Sequence, residues 1–232
     1  MTRRATVAAA VAQRPGYGGH TWMVLQWLLG LRALGWEVLL VDRLDPGMCR
    51  DGSGAPCAAE RSVNVSYLAA VMDGFGLADA WAVVVAGGEP LGMPRRELER
   101  RLGACDLLLN VMGYLDPGEL TARAPLRVFL DIDPGFGQMW RALGLDDPFA
   151  DHDRFVSVGS RVGSRGSDVP DCGLPWIATL PPVVLDQWPF RPGGATFSTV
   201  ASWRGPFGPI PYGGAPTGSA STSSAGSWSF RG

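Results

Sequence analysis

The chain contains no lysine, and two histidines and four cysteines are few for 232 residues. Because no two cysteines stand in C-x-x-C spacing, the sequence excludes a zinc site of the usual pattern and a dense disulfide scaffold. The 20 arginines nearly balance the 22 acidic residues, so the chain lacks the positive surface that nucleic-acid binding requires. We therefore expect reduced thiols and no nucleic-acid partner.

Long hydrophobic runs are also missing. No apolar stretch reaches the length of a membrane span, and the short one behind Arg3 and Arg4 ends at Gln13-Arg14-Pro15, unlike a signal peptide. These features predict a cytoplasmic protein for which membrane contact is not required. Hydrophobic residues still make up 46% of the chain, which is enough for a sizeable core.

The first forty or so residues have the pattern of a βαβ unit. Residues 5–12 are small and apolar, as in a buried strand, and a glycine-rich loop follows at residues 15–19. Apolar residues at helical spacing then predict a helix that begins near Thr21, as its cap, and stops at Gly35. A second strand is predicted over residues 36–42.

The alternation of helices and strands continues to about residue 158. It predicts an α/β fold with a doubly wound, mostly parallel, Rossmann-like sheet. The further predicted helices cover residues 63–75, 94–102 and 138–143, and the further strands 81–86, 106–112, 126–131 and 155–158. We expect a single domain over residues 1–175, followed by a proline-rich interdomain segment over residues 176–212 in which proline interrupts regular structure.

From residue 213 to residue 232 the chain is rich in glycine, serine, alanine and threonine, the composition of an irregular tail. The abrupt change predicts that a frameshift replaced the native continuation near Gly213. We therefore expect a truncated protein from which a C-terminal domain is missing.

Several segments together resemble the N-terminal half of GT-B glycosyltransferases, in particular uncharacterised bacterial members. The first is P-G-Y-G-G-H-T-W at residues 15–22, with L-G-L-R-A-L-G-W-E-V at 29–38 behind it. The others are D-I-D-P-G-F-G-Q-M-W at 131–140, F-V-S-V-G-S at 155–160 and P-W-I-A-T-L-P-P-V-V-L at 175–185. The similarity spans roughly residues 5 to 210.

This resemblance implies transfer of a glycosyl group from a nucleotide sugar to an acceptor hydroxyl. In GT-B enzymes the C-terminal domain holds most contacts to the nucleotide-sugar donor, whereas the N-terminal domain supplies the acceptor surface. The resemblance therefore implies a small-molecule or glycan acceptor, no cofactor bound by this half, no catalytic metal, and no turnover by this fragment.

Glycosyl transfer requires a base, or a polar group that orients the acceptor hydroxyl. His20 follows the glycine loop at the start of the first helix, where the helix N-terminus would keep it neutral. The alternative is a histidine that only hydrogen-bonds the loop. Asp131 and Asp133 end a predicted strand, and alternation would put both carboxylates on one side near the carboxyl edge. The alternative for Asp133 is that it forms a turn or caps the next helix.

Tyr17, Gly18, Gly19 and Trp22 are the candidate acceptor-binding residues, since aromatic rings pack on the apolar faces of sugars. Core packing is the alternative for Trp22. His152 is expected in a solvated turn. Two other functions stay open: a nucleotide-sugar oxidoreductase or epimerase with Asp42 as ribose-binding acid, and a non-enzymatic binding module. The bulky His20 and Trp22 depart from the dinucleotide fingerprint and count against the first.

Overall fold

The computed structural model describes residues 2–116, 118–190, 192–193, 210–212 and 215–217. The strands are β1 Arg4–Ala8, β2 Glu37–Leu44, β3 Trp81–Val85, β4 Leu107–Val111, β5 Arg127–Asp131, β6 Arg154–Ser157, β7 Trp176–Ala178, β8 Ile210–Tyr212 and β9 Ala215–Thr217. The α-helices are α1 Gly18–Ala33, α2 Val63–Gly74, α3 Arg95–Gly103 and α4 Phe136–Ala142. Short 3₁₀ helices cover Pro46–Met48, Ala59–Arg61, Thr121–Arg123 and Leu185–Gln187.

Seven parallel strands form one sheet in the order β3-β2-β1-β4-β5-β6-β7. The chain first adds strands on one side of β1 and then crosses over to add β4 on the other side. The predicted doubly wound Rossmann-like fold is therefore confirmed. Its direction of winding reverses between β1 and β4, where folds of this class have a crevice at the carboxyl edge.

Helices cover both faces of the sheet because alternate strand residues point to opposite sides. On one face, Val7, Leu40 and Leu109 belong to the cluster that buries α1 and α2. On the other face, Ala8 and Leu108 belong to the cluster around α3. With apolar residues on both faces, the central strands read as continuous hydrophobic runs, which is typical of a parallel sheet.

Helix α1 begins earlier than predicted. Gly18 and Gly19 form its first turn, and Tyr17 precedes it without a capping side-chain hydrogen bond. The prediction that Thr21 caps the helix is wrong, because Thr21 lies inside α1 and its N–H donates to the Tyr17 carbonyl at 3.0 Å. Its hydroxyl lies 2.9 Å from the Tyr67 hydroxyl on α2. The predicted stop is confirmed, since Gly35 follows the last turn with a φ of 83° that favours glycine.

The chain divides into two compact units, residues 1–188 and 189–232. The first unit holds the seven-stranded sheet. It includes β7, although proline content predicted no regular structure past residue 175. In the second unit, residues 210–212 and 215–217 form an antiparallel pair, β8 and β9. Within the predicted interdomain segment and tail, residues 191, 194–209, 213–214 and 218–232 lie outside the described residues.

None of the helices in the described ranges is both long and apolar enough to cross a membrane.

Candidate functional site

Loops that follow β1, β4 and β5 meet where the winding of the sheet reverses. All seven strands are parallel, so their carboxyl ends lie at one edge. The loop after β1 leads into α1, whose first turn carries His20, while the loop after β4 carries Tyr114 and the loop after β5 carries Asp133. We refer to this place as the switch-point crevice.

Asp42 holds the loop after β1 in place. Its Oδ2 accepts hydrogen bonds from the Val11 and Ala12 backbone N–H groups, at 2.6 and 2.5 Å. Its Oδ1 accepts from the Arg43 N–H at 2.6 Å and from the Gln13 amide at 3.4 Å. Burial raises the pKa of this carboxyl to about 6, against the opposing effect of the hydrogen bonds. Asp42 is therefore an anchor of the loop.

This anchoring role bears on the oxidoreductase alternative. The sequence places Asp42 at the end of the second strand, as a ribose-binding acid would be. In the structure β2 continues to Leu44, and the Asp42 side chain is 1% exposed. Both carboxylate oxygens already accept hydrogen bonds from the protein. A dinucleotide ribose would have to displace these contacts.

His20 lies in the first turn of α1 with an unused nitrogen. Its Nε2 is buried and has no hydrogen-bond partner among the described residues. The ring stands edge-on to the Tyr114 ring, with the centroids 6.2 Å apart. Burial lowers the pKa of His20 below 6.5, the Arg14 charge lowers it further, and a hydrogen bond to the Ala10 carbonyl partly opposes this. A neutral imidazole can accept a proton at Nε2.

Arg14 and Tyr114 complete the surroundings of His20. Burial raises the pKa of the Tyr114 hydroxyl, so it stays protonated and can donate a hydrogen bond. Arg14 lowers this pKa, whereas the charges of Asp133 and Asp42 raise it. The crevice therefore combines a neutral histidine with a hydroxyl donor, one cation and one exposed carboxylate.

Tyr114 owes its position to a buried amide at the end of β4. Asn110 accepts from the Leu115 N–H at 3.0 Å and donates to the Leu115 carbonyl at 2.8 Å. The same amide nitrogen contacts His152 Nε2 at 3.1 Å. His152 Nδ1 lies 2.8 Å from the Ala150 carbonyl, so this ring is partly buried and hydrogen-bonded. The expectation that His152 lies in a solvated turn is wrong.

The two predicted carboxylates are separated in the structure. Asp131 is buried, and its Oδ2 accepts from the Gln138 amide at 2.7 Å and the Ser157 hydroxyl at 2.9 Å. Asp133 is exposed, and its N–H donates to Asp131 Oδ1 at 3.1 Å. Alternation does not apply because β5 ends at Asp131 and Asp133 already belongs to the turn. Asp133 does not cap the next helix, α4. The side chain of Gln138 caps the start of α4 instead, because its Oε1 accepts from the Gly135 N–H at 2.8 Å.

Burial raises the pKa of the Asp131 carboxyl. Its hydrogen bonds join β5, β6 and the start of α4, and so fix the base of the loop that carries Asp133. Of the two, only Asp133 has its carboxylate exposed, beside the crevice. The catalytic roles of His20, Asp131 and Asp133 stay predictions.

A groove of about 390 Å³ adjoins the first turn of α1. Two candidate acceptor-binding residues, Gly19 and Trp22, line it, whereas Tyr17 and Gly18 are exposed outside its lining. Gly19 and Ile132, both in the lining, directly precede His20 and Asp133 in the chain. The other lining residues are Met23, Gln26, Trp27, Val158, Pro181, Pro182, Val183 and Trp188. We call it the α1 groove.

Sequence reasoning missed Arg14, Tyr114 and Gln26. For Tyr114 a signal existed, because it follows a predicted buried strand at the carboxyl edge, next to Gly113. Gln26 is the only amide side chain on α1, between Leu25 and Trp27 in an otherwise apolar stretch. A lone amide in such a stretch is a signal for a buried polar contact.

Among the described residues, no group of three or more His, Cys, Asp or Glu side chains could hold a metal ion. The chain matches no protein-family model and no curated protein. The class that the structure defines is thus a Rossmann-like α/β protein with a polar crevice at its switch point, and function has to be argued from the site.

Proposed function

We propose that this chain is the acceptor-side domain of a nucleotide-sugar-dependent glycosyltransferase that acts in the cytoplasm. The observation that carries the proposal is the buried, unpartnered Nε2 of His20 at the switch point. A buried acceptor atom without a partner among the described residues is costly, and a substrate hydroxyl would satisfy it.

The chemistry follows from this placement. The acceptor hydroxyl donates to His20 Nε2, and its oxygen forms a bond to the anomeric carbon of the donor sugar. The bond from that carbon to the nucleoside diphosphate breaks, the electron pair leaves with the diphosphate, and the hydroxyl proton passes to Nε2. In this proposal the Tyr114 hydroxyl, Arg14 and Asp133 orient other polar groups of the acceptor.

The donor and its leaving diphosphate belong to a further domain in this proposal. Among the crevice residues, Arg14 is the only cation, and one charge gives limited support to a departing diphosphate. This division of labour agrees with the sequence resemblance to the N-terminal half of GT-B enzymes.

The test is to sequence the gene through the codons for Gly213 to Gly232 and beyond, and to express the protein that the shifted frame encodes. We expect a second Rossmann-like domain and release of nucleoside diphosphate from UDP-, GDP- or dTDP-hexose when an acceptor alcohol is present. A genuine stop codon with no second domain would favour a binding module. Saturable NAD binding by the present chain would favour the oxidoreductase.

A further inference from the structure

The α1 groove has the size and lining of a small-molecule site. Its volume of about 390 Å³ falls in the range of roughly 300 to 1,000 Å³ that is typical of such sites. Three indole rings line it, those of Trp22, Trp27 and Trp188, and the remaining walls are almost entirely apolar. Indole rings give flat apolar molecules both stacking and edge contacts.

One polar group interrupts this apolar lining. Gln26 is 6% exposed, and its Oε1 accepts a hydrogen bond from the Val184 N–H at 2.6 Å. Because Val184 supplies a donor, the oxygen of the amide must face it, which fixes the orientation of the amide. The Gln26 Nε2 is buried and has no hydrogen-bond partner among the described residues. Gln26 lines the groove, so the groove wall contains an unused hydrogen-bond donor.

The outer wall of the groove is a fixed part of the same compact unit. The Thr179 N–H donates to the Ser157 carbonyl at 2.9 Å, which holds the start of the segment to β6. The Val184 N–H is hydrogen-bonded to Gln26, and the centroids of the Trp188 and Trp22 rings lie 5.3 Å apart. Helix α1 packs against this wall at Gly30, where a Cβ would lie at an ordinary contact distance of 3.8 Å from side-chain carbons of Pro182 and Val184.

We propose that the α1 groove binds a flat, apolar molecule, such as a fused aromatic ring system, that carries one hydrogen-bond acceptor for Gln26 Nε2. The indole rings hold the apolar body, and the amide selects the acceptor atom. We further infer that this molecule is the apolar part of the glycosyl acceptor. This identification rests on the proposed function, whereas the binding of a flat, apolar molecule does not.

The test compares 2-acetonaphthone with 2-ethylnaphthalene. The two compounds have nearly the same shape, but only 2-acetonaphthone has a carbonyl oxygen. The chain is labelled with 5-fluorotryptophan, and binding is followed by 19F NMR, with Trp22, Trp27 and Trp188 assigned by single Trp→Phe variants. We expect both compounds to shift these three resonances and the ketone to bind about tenfold more tightly.

Three variants separate the contributions. Gln26→Met is expected to abolish the preference for the ketone while it keeps hydrocarbon binding, which also shows that the groove is intact. Trp188 is 54% exposed, so Trp188→Ala should not disturb the fold. We expect this variant to bind both compounds about tenfold more weakly and to leave the ratio of their affinities unchanged. Gln13→Met, an amide outside the groove, should change neither affinity.

Equal affinity of the wild-type chain for the two compounds would overturn the proposal, as would a ketone preference that survives in Gln26→Met. Failure of both compounds to bind up to their solubility limits would also overturn it. Because this measurement needs no donor sugar and no turnover, it can fail while the transferase proposal stands, and the reverse also holds.

Discussion

Asp42→Ala is expected to destabilise the first compact unit by about 3 kcal/mol or more. The substitution leaves the buried Val11 and Ala12 N–H groups, and the partly buried Arg43 N–H group, without their acceptor. Each buried donor without a partner costs roughly 1 to 3 kcal/mol, and collapse around a small alanine cannot replace the carboxylate oxygens. Urea unfolding followed by circular dichroism measures the effect.

Asp73→Ala provides the matched control, because Asp73 is an exposed carboxylate on α2. Surface substitutions of this kind usually change stability by less than about 0.5 kcal/mol. An effect of Asp42→Ala no larger than that of the control would contradict the anchoring role of Asp42.

The same carboxyl also makes stability depend on pH. Its pKa is 3.8 in an ordinary environment and is raised to about 6 in the folded chain, chiefly by burial. The folded state therefore binds the proton more tightly, so the contribution is complete below pH 4 and is lost as the pH rises through 6. Relative to Asp42→Asn, the wild type should lose on the order of 2 to 3 kcal/mol between pH 4 and pH 7.

If the proposed function is right, His20→Asn is expected to lower the turnover of the longer protein with the proposed second domain about 100- to 10,000-fold. Asparagine keeps a polar side chain of similar size but cannot take a proton from the acceptor hydroxyl. Since the substitution removes a group that acts in the transition state, kcat should fall and KM should change little. Release of nucleoside diphosphate measures both constants.

A second readout separates a base from a packing residue. With histidine as the base, turnover falls at acid pH as His20 takes up its own proton, at a pH below 6.5. The His20→Asn enzyme should lose this acid limb of the pH profile. If the acid limb of the pH profile is unchanged, or if turnover stays within about tenfold of the wild type, His20 is not the base.

The sequence was sufficient for the fold because its signals are local. Apolar periodicity located the four α-helices of the described residues and the first six strands to within a few residues. It missed β7, which has three residues at the sheet edge with prolines just beyond it, too short for a periodic pattern. It also started α1 late, since Gly18 and Gly19 favour a loop unless tertiary contacts hold them in a helix.

The site was less predictable because its contacts join distant parts of the chain. The position of His20 followed from the order of loop and helix, but its unused Nε2 depends on what packs around it. Asp42 matched the pattern of a ribose-binding acid, and only the fold brings the N–H groups of residues 11 and 12 to it. Gln26 likewise forms its hydrogen bond with Val184, which lies 158 residues later in the chain.

The proposed role of His20 is tested most directly by a pH titration of the two histidine rings by 15N NMR, with His20→Asn used to assign the signals. We expect His20 to have a pKa below 6.5 and its Nε2 to be unprotonated at pH 7, so that it can accept a hydrogen bond. A pKa at or above 6.5, or a proton on Nε2 at pH 7, would contradict the proposal that His20 receives the acceptor proton.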